Sequence, residues 1–412
     1  MRWTGTHYTG TDEAGILAEV YRYLDTALRA ARTGLVPFGS VKRDVTNVIG
    51  ALNARCHLPQ ESCFPGWRGT DGHPAHEVIP MENGLFHYPT ETLAAHTPSF
   101  LNTSARPFAY SPLATCHGWP DFLDSLWGSD EEAKEALAEI FGYLLSGATN
   151  LQKIFLLIGP PRCGKGTIMR VLRALMGEDA YCGPTLSGLT MNFGLQSLIG
   201  KSVAVISDAR IGARTDQSIA VERLLAVSGE DTITADRKNK TAWTGRMGVR
   251  FVLTTNELPR LSDASGALSN RFMPIVLTKS FLGCEDTTLD ARLAQDLPGI
   301  FLWALDGLKR LNARGRFHVP ESSSQLVEEF HDLTSPVGAF VREYCELGTG
   351  KKEEVGDVYR AWGRWCLASG RDRQGTTHEL ARQLRAVVPG LRTTRIQKKG
   401  SRNRYYVGIA LV

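Results

Sequence analysis

Apolar positions recur at helical spacing over residues 12–32, where Ile16, Leu17, Val20, Leu24, Ala27 and Leu28 share one face, and residues 41–55 repeat the pattern. Both stretches are predicted helices. From 56 to about 112 the chain is rich in Pro, Gly, His and Thr, with short strand-like pieces and an Asn83-Gly84 turn. Helical spacing returns over 120–146, with acidic first turns at Asp121 and Asp130-Glu131 and an apolar face of Leu137, Ile140, Phe141 and Leu144. The texture changes at Lys153. An apolar run, Ile154-Phe155-Leu156-Leu157-Ile158, precedes a glycine-rich turn and a helical stretch to Met176. Three further apolar runs, at 203–207, 250–255 and 272–277, alternate with helix-like segments. That alternation predicts an α/β fold with a mostly parallel sheet.

Beyond a predicted loop at 320–324 the pattern shifts again. Residues 338–346, 355–367 and 376–388 read as helices, and 391–398 and 404–411 alternate as two strands about a Gly400-Ser401-Arg402-Asn403 turn. Three helices and a hairpin are the order of a winged helix. Three domains follow: 1–145, helical and mixed; 146–320, the α/β domain; and 335–412, the winged-helix domain.

The 412 residues are 42% hydrophobic and 22% charged, which excludes wholesale disorder. No apolar run approaches a membrane span, and the first residues carry no apolar signal core, so no membrane partner is expected. The eight cysteines include no CxxC pair, as suits a reducing cytoplasm. The net charge is only +4, but residues 371–412 hold ten basic side chains against two acidic ones. A basic tail on a mildly acidic body points to a polyanionic partner, with a solvated basic face as the alternative.

The chemistry centres on Gly159-Pro160-Pro161-Arg162-Cys163-Gly164-Lys165-Gly166-Thr167, a GxxxxGK loop between a buried strand and a helix. Gly159, Pro160, Gly164 and Gly166 shape a turn whose backbone N–H groups curl around phosphates. Lys165 would reach the β- and γ-phosphates of ATP, and Thr167 would hold Mg2+, although Gly166 stands where such loops place a hydroxyl. The strand at 203–207 ends at Asp208, placed to hold magnesium and polarise a water. The strand at 250–255 ends at Asn256, whose amide could meet the γ-phosphate or the water. A turn residue is the plain alternative for Asn256.

With these pieces in order, the chain resembles superfamily 3 helicases of the AAA+ class, especially the helicase region of phage and plasmid primase-helicases. The matching stretches are 151–167, 200–208, 221–240, 250–260 and 270–277. Residues 75–150 resemble the domain preceding that ATPase. The tail, with Trp362, Trp365 and Tyr405-Tyr406-Val407-Gly408, resembles its C-terminal winged-helix region. The resemblance implies a replicative DNA helicase that forms a homo-oligomeric, hexameric ring and translocates on single-stranded DNA at a forked duplex. It implies catalytic roles for Lys165, Asp208, Asn256 and Arg271, the last as an arginine finger on the neighbouring subunit's nucleotide; Arg260 is the second finger candidate. Asp236-Arg237-Lys238-Asn239-Lys240 resembles a DNA-gripping hairpin, so Arg237, Lys238 and Lys240 are expected on DNA. Arg382 and Arg385, on a helix of the basic tail, are candidate contacts to DNA phosphates, with a protein partner as the alternative. A primase on the same or another chain is the further implied partner, and the cytoplasm of a bacterial host the implied compartment. Two rival functions stand: a P-loop nucleotide kinase, suggested by GKGT, and an ATP-switched origin-binding initiator or loader that does not unwind. Cys56, Cys63, His73 and His76 lack zinc-finger spacing, so no zinc site is expected.

Overall fold

The computed structural model describes residues 1–32, 34–58, 64–69, 72–209, 217–259, 261, 267–371, 374–398 and 401–412. The chain divides into two compact units, residues 1–112 with 175–180, and 113–174 with 181–412.

In the first unit, helices Glu13–Thr26 and Lys42–Arg55 pack through Val20, Leu24 and Val45. Asp12 starts the first helix by accepting the Gly15 N–H at 2.8 Å. The helix stops before the predicted end at 32. Ala27 turns extended, and Leu28–Ala31 pairs antiparallel with Gly34–Pro37. Leu28–Ala31 is exposed throughout, so another helical turn would have buried nothing. The Asn83-Gly84 turn joins strands Val78–Met81 and Gly84–His87 as expected. Gly84 is required there: φ is +156°, and a Cβ would lie 2.4 Å from the Ala94 carbonyl oxygen.

The second unit is built on a five-stranded parallel sheet: β1 (Ile154–Ile158), β2 (Tyr181–Cys182), β3 (Val203–Ser207), β4 (Arg250–Thr255) and β5 (Phe272–Val276). Its spatial order is β2-β3-β4-β1-β5. The strands β1 and β4 are buried along their whole length, and β3 up to its last residue. Burial on both faces explains why their sequences are continuous apolar runs rather than alternating ones. The short edge strand β2 has no such run and was not expected.

The helical stretch at 120–146 is two helices, Gly118–Trp127 and Glu131–Leu145, separated by Gly128 at φ +62°. The second lies against helix Leu297–Arg314 almost backbone to backbone. A Cβ on Gly142 would sit 2.3 Å from the Ala304 carbonyl oxygen, and one on Gly307 would sit 2.3 Å from the Ala138 carbonyl carbon. Arg250, the buried first residue of β4, fastens this layer to the sheet by donating to the Leu144 oxygen at 2.6 Å and the Ala148 oxygen at 3.2 Å. Desolvation pushes its guanidinium down to about 10.

The loop expected at 320–324 is instead the start of helix Glu321–Thr334. Its serines are compatible with a first turn, where the acidic Glu321 favours initiation. The C-terminal helices run Pro336–Tyr344, Val355–Ala368 and Thr377–Val387, around a core of Phe340, Trp362, Trp365 and Tyr406. The two expected strands, Arg392–Lys398 and Ser401–Leu411, are joined by a third, Cys345–Glu354, on the other side of Ser401–Leu411. No helix among the described residues is long and apolar enough to cross a membrane.

Candidate functional site

The carboxyl ends of β3, β4 and β1 lie side by side. Ser207 pairs with Thr254, and Ile158 with Thr255, so the residues that follow leave the sheet together. The Gly159 N–H donates to the Thr255 oxygen at 3.3 Å, and the Leu277 N–H to the Ile158 oxygen at 2.8 Å, fixing the root of the 159–164 loop between β4 and the end of β5. Gly159 admits no side chain, since a Cβ would sit 2.2 Å from the Leu277 carbonyl oxygen. Arg162 and Gly164 take the left-handed conformation at φ +59° and +95°. At Gly164 a Cβ would meet Leu126 Cδ2 at 2.7 Å. Pro160 is half-buried and Gly166 exposed. Two of the loop's glycines thus have separate steric reasons.

Lys165 opens helix Lys165–Met176 and curls back into the loop. Its ammonium donates to the Gly159 oxygen at 2.6 Å, the Pro160 oxygen at 2.9 Å and Asn256 Oδ1 at 3.1 Å, and lies 3.2 Å from the buried Cys163 Sγ. The loop is therefore wrapped about a cation. A phosphate bound by the same loop would meet that cation together with the first-turn N–H groups. Thr167, on the first turn and 9% exposed, accepts a hydrogen bond from Arg170 Nη2 at 3.0 Å.

Asp208 stands at the end of β3, exposed, with φ at +51°. A non-glycine residue in that region costs energy that the surroundings must offset, and such positions cluster at functional sites. The Ala209 N–H donates to the Thr254 oxygen at 3.1 Å, holding the turn that carries it against β4. Lys165 and Asn256 are in direct contact, and Asp208 lies one strand further along the same edge.

A model of a family of unknown function (DUF5906) matches residues 157–271. That span runs from Leu157, near the end of β1, to Arg271. Among solved structures, the chain is similar to the apo structure of the NrS-1 C terminal region (305-718), at 15% identity and a TM-score of 0.49 over 91% of each chain. It is also similar to the A form apo structure of the NrS-1 C terminal region, at 12% identity and a TM-score of 0.44, covering 92% of this chain and 93% of that one.

Arg271 closes the short helix Ala267–Arg271 just before β5. Its guanidinium reaches helix Gln217–Ser228, donating to the Leu225 oxygen and to Ser228 Oγ, the latter at 2.9 Å. That helix has no basic residue in its own last turn, so Arg271 supplies the cation at its carboxyl end. Arg260 lies outside the described residues.

Strands Ile233–Arg237 and Lys240–Gly245 form the expected antiparallel hairpin, turning at Lys238 and Asn239, the latter at φ +58°. Lys238 and Lys240 are exposed. Arg237 folds back on the hairpin, its Nε donating to the Thr241 oxygen at 2.8 Å. The tip is steadied by Gln196, whose Oε1 accepts the Lys238 N–H at 3.0 Å; a lone glutamine on a distant segment carries no sequence mark of that role.

Arg382 and Arg385 lie on the exposed face of helix Thr377–Val387, whose Leu380 and Leu384 are buried. Arg385 Nη2 reaches Thr393 Oγ1 at 3.4 Å. Two further basic residues, Arg395 and Arg404, pair directly across the C-terminal strands and are both exposed. Their sequence positions alone did not show that they face one another. Like charges placed opposite one another cost stability, which a bound polyanion would offset. Lys399 lies outside the described residues.

Proposed function

We propose that the chain is an AAA+ ATPase of the superfamily 3 type that translocates on single-stranded DNA and unwinds duplexes as a ring. The observation that carries the reading is the meeting of the 159–164 loop, Lys165 and Asn256 at the carboxyl ends of adjacent parallel strands, with Asp208 on the next. In an open parallel sheet, ligands bind beyond the carboxyl ends where the strand order reverses. Here β1 lies between β4 and β5, while the chain leaving β1 goes to the far edge at β2 and returns.

The loop and Lys165 suit a nucleoside triphosphate. The Thr167 hydroxyl and the Asp208 carboxylate offer a sparse, all-oxygen pair, which fits a magnesium ion carried largely on substrate phosphates. That ion, when bound, would neutralise charge on the phosphates. Lys165 would leave the loop carbonyls for the phosphate oxygens, Asn256 would hold the γ-phosphate or the attacking water, and Asp208 would orient and polarise that water. Arg271 would complete the neighbouring subunit's site.

Lys238 and Lys240 would hold the DNA backbone at the hairpin tip, with Arg237 stiffening the strand beside them. Arg382 and Arg385 would add a second grip on the C-terminal helices. Binding of labelled oligo(dT), measured against salt with a non-hydrolysable ATP analogue, tests this. Lys238→Ala/Lys240→Ala should weaken binding and reduce the log–log salt slope by roughly 0.7 for each phosphate no longer neutralised. An unchanged slope would remove the hairpin from the DNA path. Phosphoryl transfer to a nucleoside monophosphate, without response to DNA, would replace the helicase reading by the kinase one.

A further inference from the structure

The loop places Gly166 directly after its lysine, and a second cation lies over that position. Arg170 follows Gly166 by four residues and Thr167 by three on the same helix, so all three share one face. Its Nη2 donates to Thr167 Oγ1 at 3.0 Å, and its Nε meets Asp290 Oδ2 at 2.8 Å. A Cβ built on Gly166 would lie 3.2 Å from Arg170 Nη1. The guanidinium thus lies across the first helical turn, and a side chain at 166 would crowd it. Asp290 belongs to a segment fastened to the outside of the same loop: Ser280 Oγ donates to the Pro161 oxygen and the Phe281 N–H to the Arg162 oxygen, both at 2.9 Å.

We propose that Arg170 is a phosphate-contacting residue of the nucleotide site, held in place by Asp290 as a positioning residue. The proposal rests on the nucleotide-site reading above. The first turn, where the guanidinium lies, is where backbone N–H groups attract an anion, and a guanidinium matches phosphate oxygens in geometry and charge. Arg170 has its Thr167 hydrogen bond to exchange. When a triphosphate enters, Nη2 leaves Thr167 and, with Nη1, turns to phosphate oxygens while Nε stays on Asp290, so the group pivots instead of searching. The exchange also frees the Thr167 hydroxyl. Glycine at 166 leaves the guanidinium room in this position.

The test is titration of the full chain with a fluorescent ATP analogue, with magnesium and with EDTA, for wild type, Lys165→Ala, Arg170→Ala, Arg170→Lys and Asp290→Asn. Arg170→Ala should lose roughly 10- to 100-fold in affinity without magnesium, the range of a charge-assisted hydrogen bond or two, and less with magnesium, which neutralises the same phosphates. Arg170→Lys should recover part of the loss. Asp290→Asn should lose a few-fold, with no further loss when combined with Arg170→Ala. The melting temperature of Arg170→Ala should match wild type, because exposed ion pairs contribute little to stability. Equal affinities for wild type and Arg170→Ala in both conditions would overturn the proposal and leave the nucleotide site standing. An affinity loss matched by a lowered melting temperature would assign Arg170 to folding and overturn it. Absence of binding by wild type would remove the nucleotide site itself, and the proposal with it.

Discussion

Arg271 carries two separable expectations, because its guanidinium is engaged inside the chain and is also the proposed finger. Arg271→Ala removes the hydrogen bonds to the Leu225 oxygen and Ser228 Oγ and leaves the end of helix Gln217–Ser228 without a cation. Hydrogen bonds from a charged donor contribute about 1.5–3 kcal/mol each. The site is only half-buried, so water recovers part of that, and a net loss of about 2 kcal/mol is expected. For a unit of this size the melting temperature should fall by about 3 °C. Arg271→Lys keeps a cation for the carbonyls but loses the planar fork, so it should melt near wild type and still lose most ATP turnover. Mixing separates action within the chain from action across subunits. Arg271→Lys and Lys165→Ala, each inactive alone, should regain turnover together, since a Lys165→Ala subunit still offers Arg271 to a neighbour with an intact loop. An unchanged melting temperature for Arg271→Ala would refute the capping argument. Mixtures no more active than their parents would refute action between subunits.

Gly142→Ala should lower the urea midpoint even though alanine is the better helix former by about 1 kcal/mol, because the new methyl would press on the Ala304 carbonyl and Leu308 of the facing helix; a midpoint at or above wild type would contradict this. The Glu379 carboxylate is held below its ordinary value of 4.5, first by the Thr376 N–H, which it accepts at 2.7 Å, and then by the Thr376 side chain. A depressed carboxylate stabilises fully above its unfolded value and loses that contribution as pH falls through the folded one. The difference in melting temperature between wild type and Glu379→Gln should therefore shrink as pH falls below the unfolded value of about 4.5, and a constant difference on acidification would dismiss the linkage. Arg395→Thr should raise stability slightly by relieving the pairing with Arg404, while weakening DNA binding at low salt; a loss of both would argue against a polyanion surface there.

The central sheet was legible because β1, β3 and β4 are buried on both faces and so written as unbroken apolar runs. Strand Cys345–Glu354 was not, since most of it is exposed and polar, and its pairing with Ser401–Leu411 spans a long sequence separation. The serines at 322–324 suggested a loop because serine is neutral to poor in helices, yet the helix there is stabilised by packing such as Phe330 on Phe272. In the candidate site, glycine spacing and strand ends marked the loop, Asp208 and Asn256. Arg170 looked like any arginine on a helix face, and its meeting with Asp290, like that of Arg271 with Leu225, depends on tertiary topology that local spacing does not encode.

The most direct test of a DNA-driven ATPase is the rate of ATP hydrolysis with and without single-stranded DNA, for wild type, Lys165→Ala and Lys238→Ala/Lys240→Ala. DNA should stimulate wild type, Lys165→Ala should show no turnover, and the hairpin variant should keep basal turnover without stimulation. Turnover that is indifferent to DNA in wild type, or that survives Lys165→Ala, would contradict a DNA-driven ATPase.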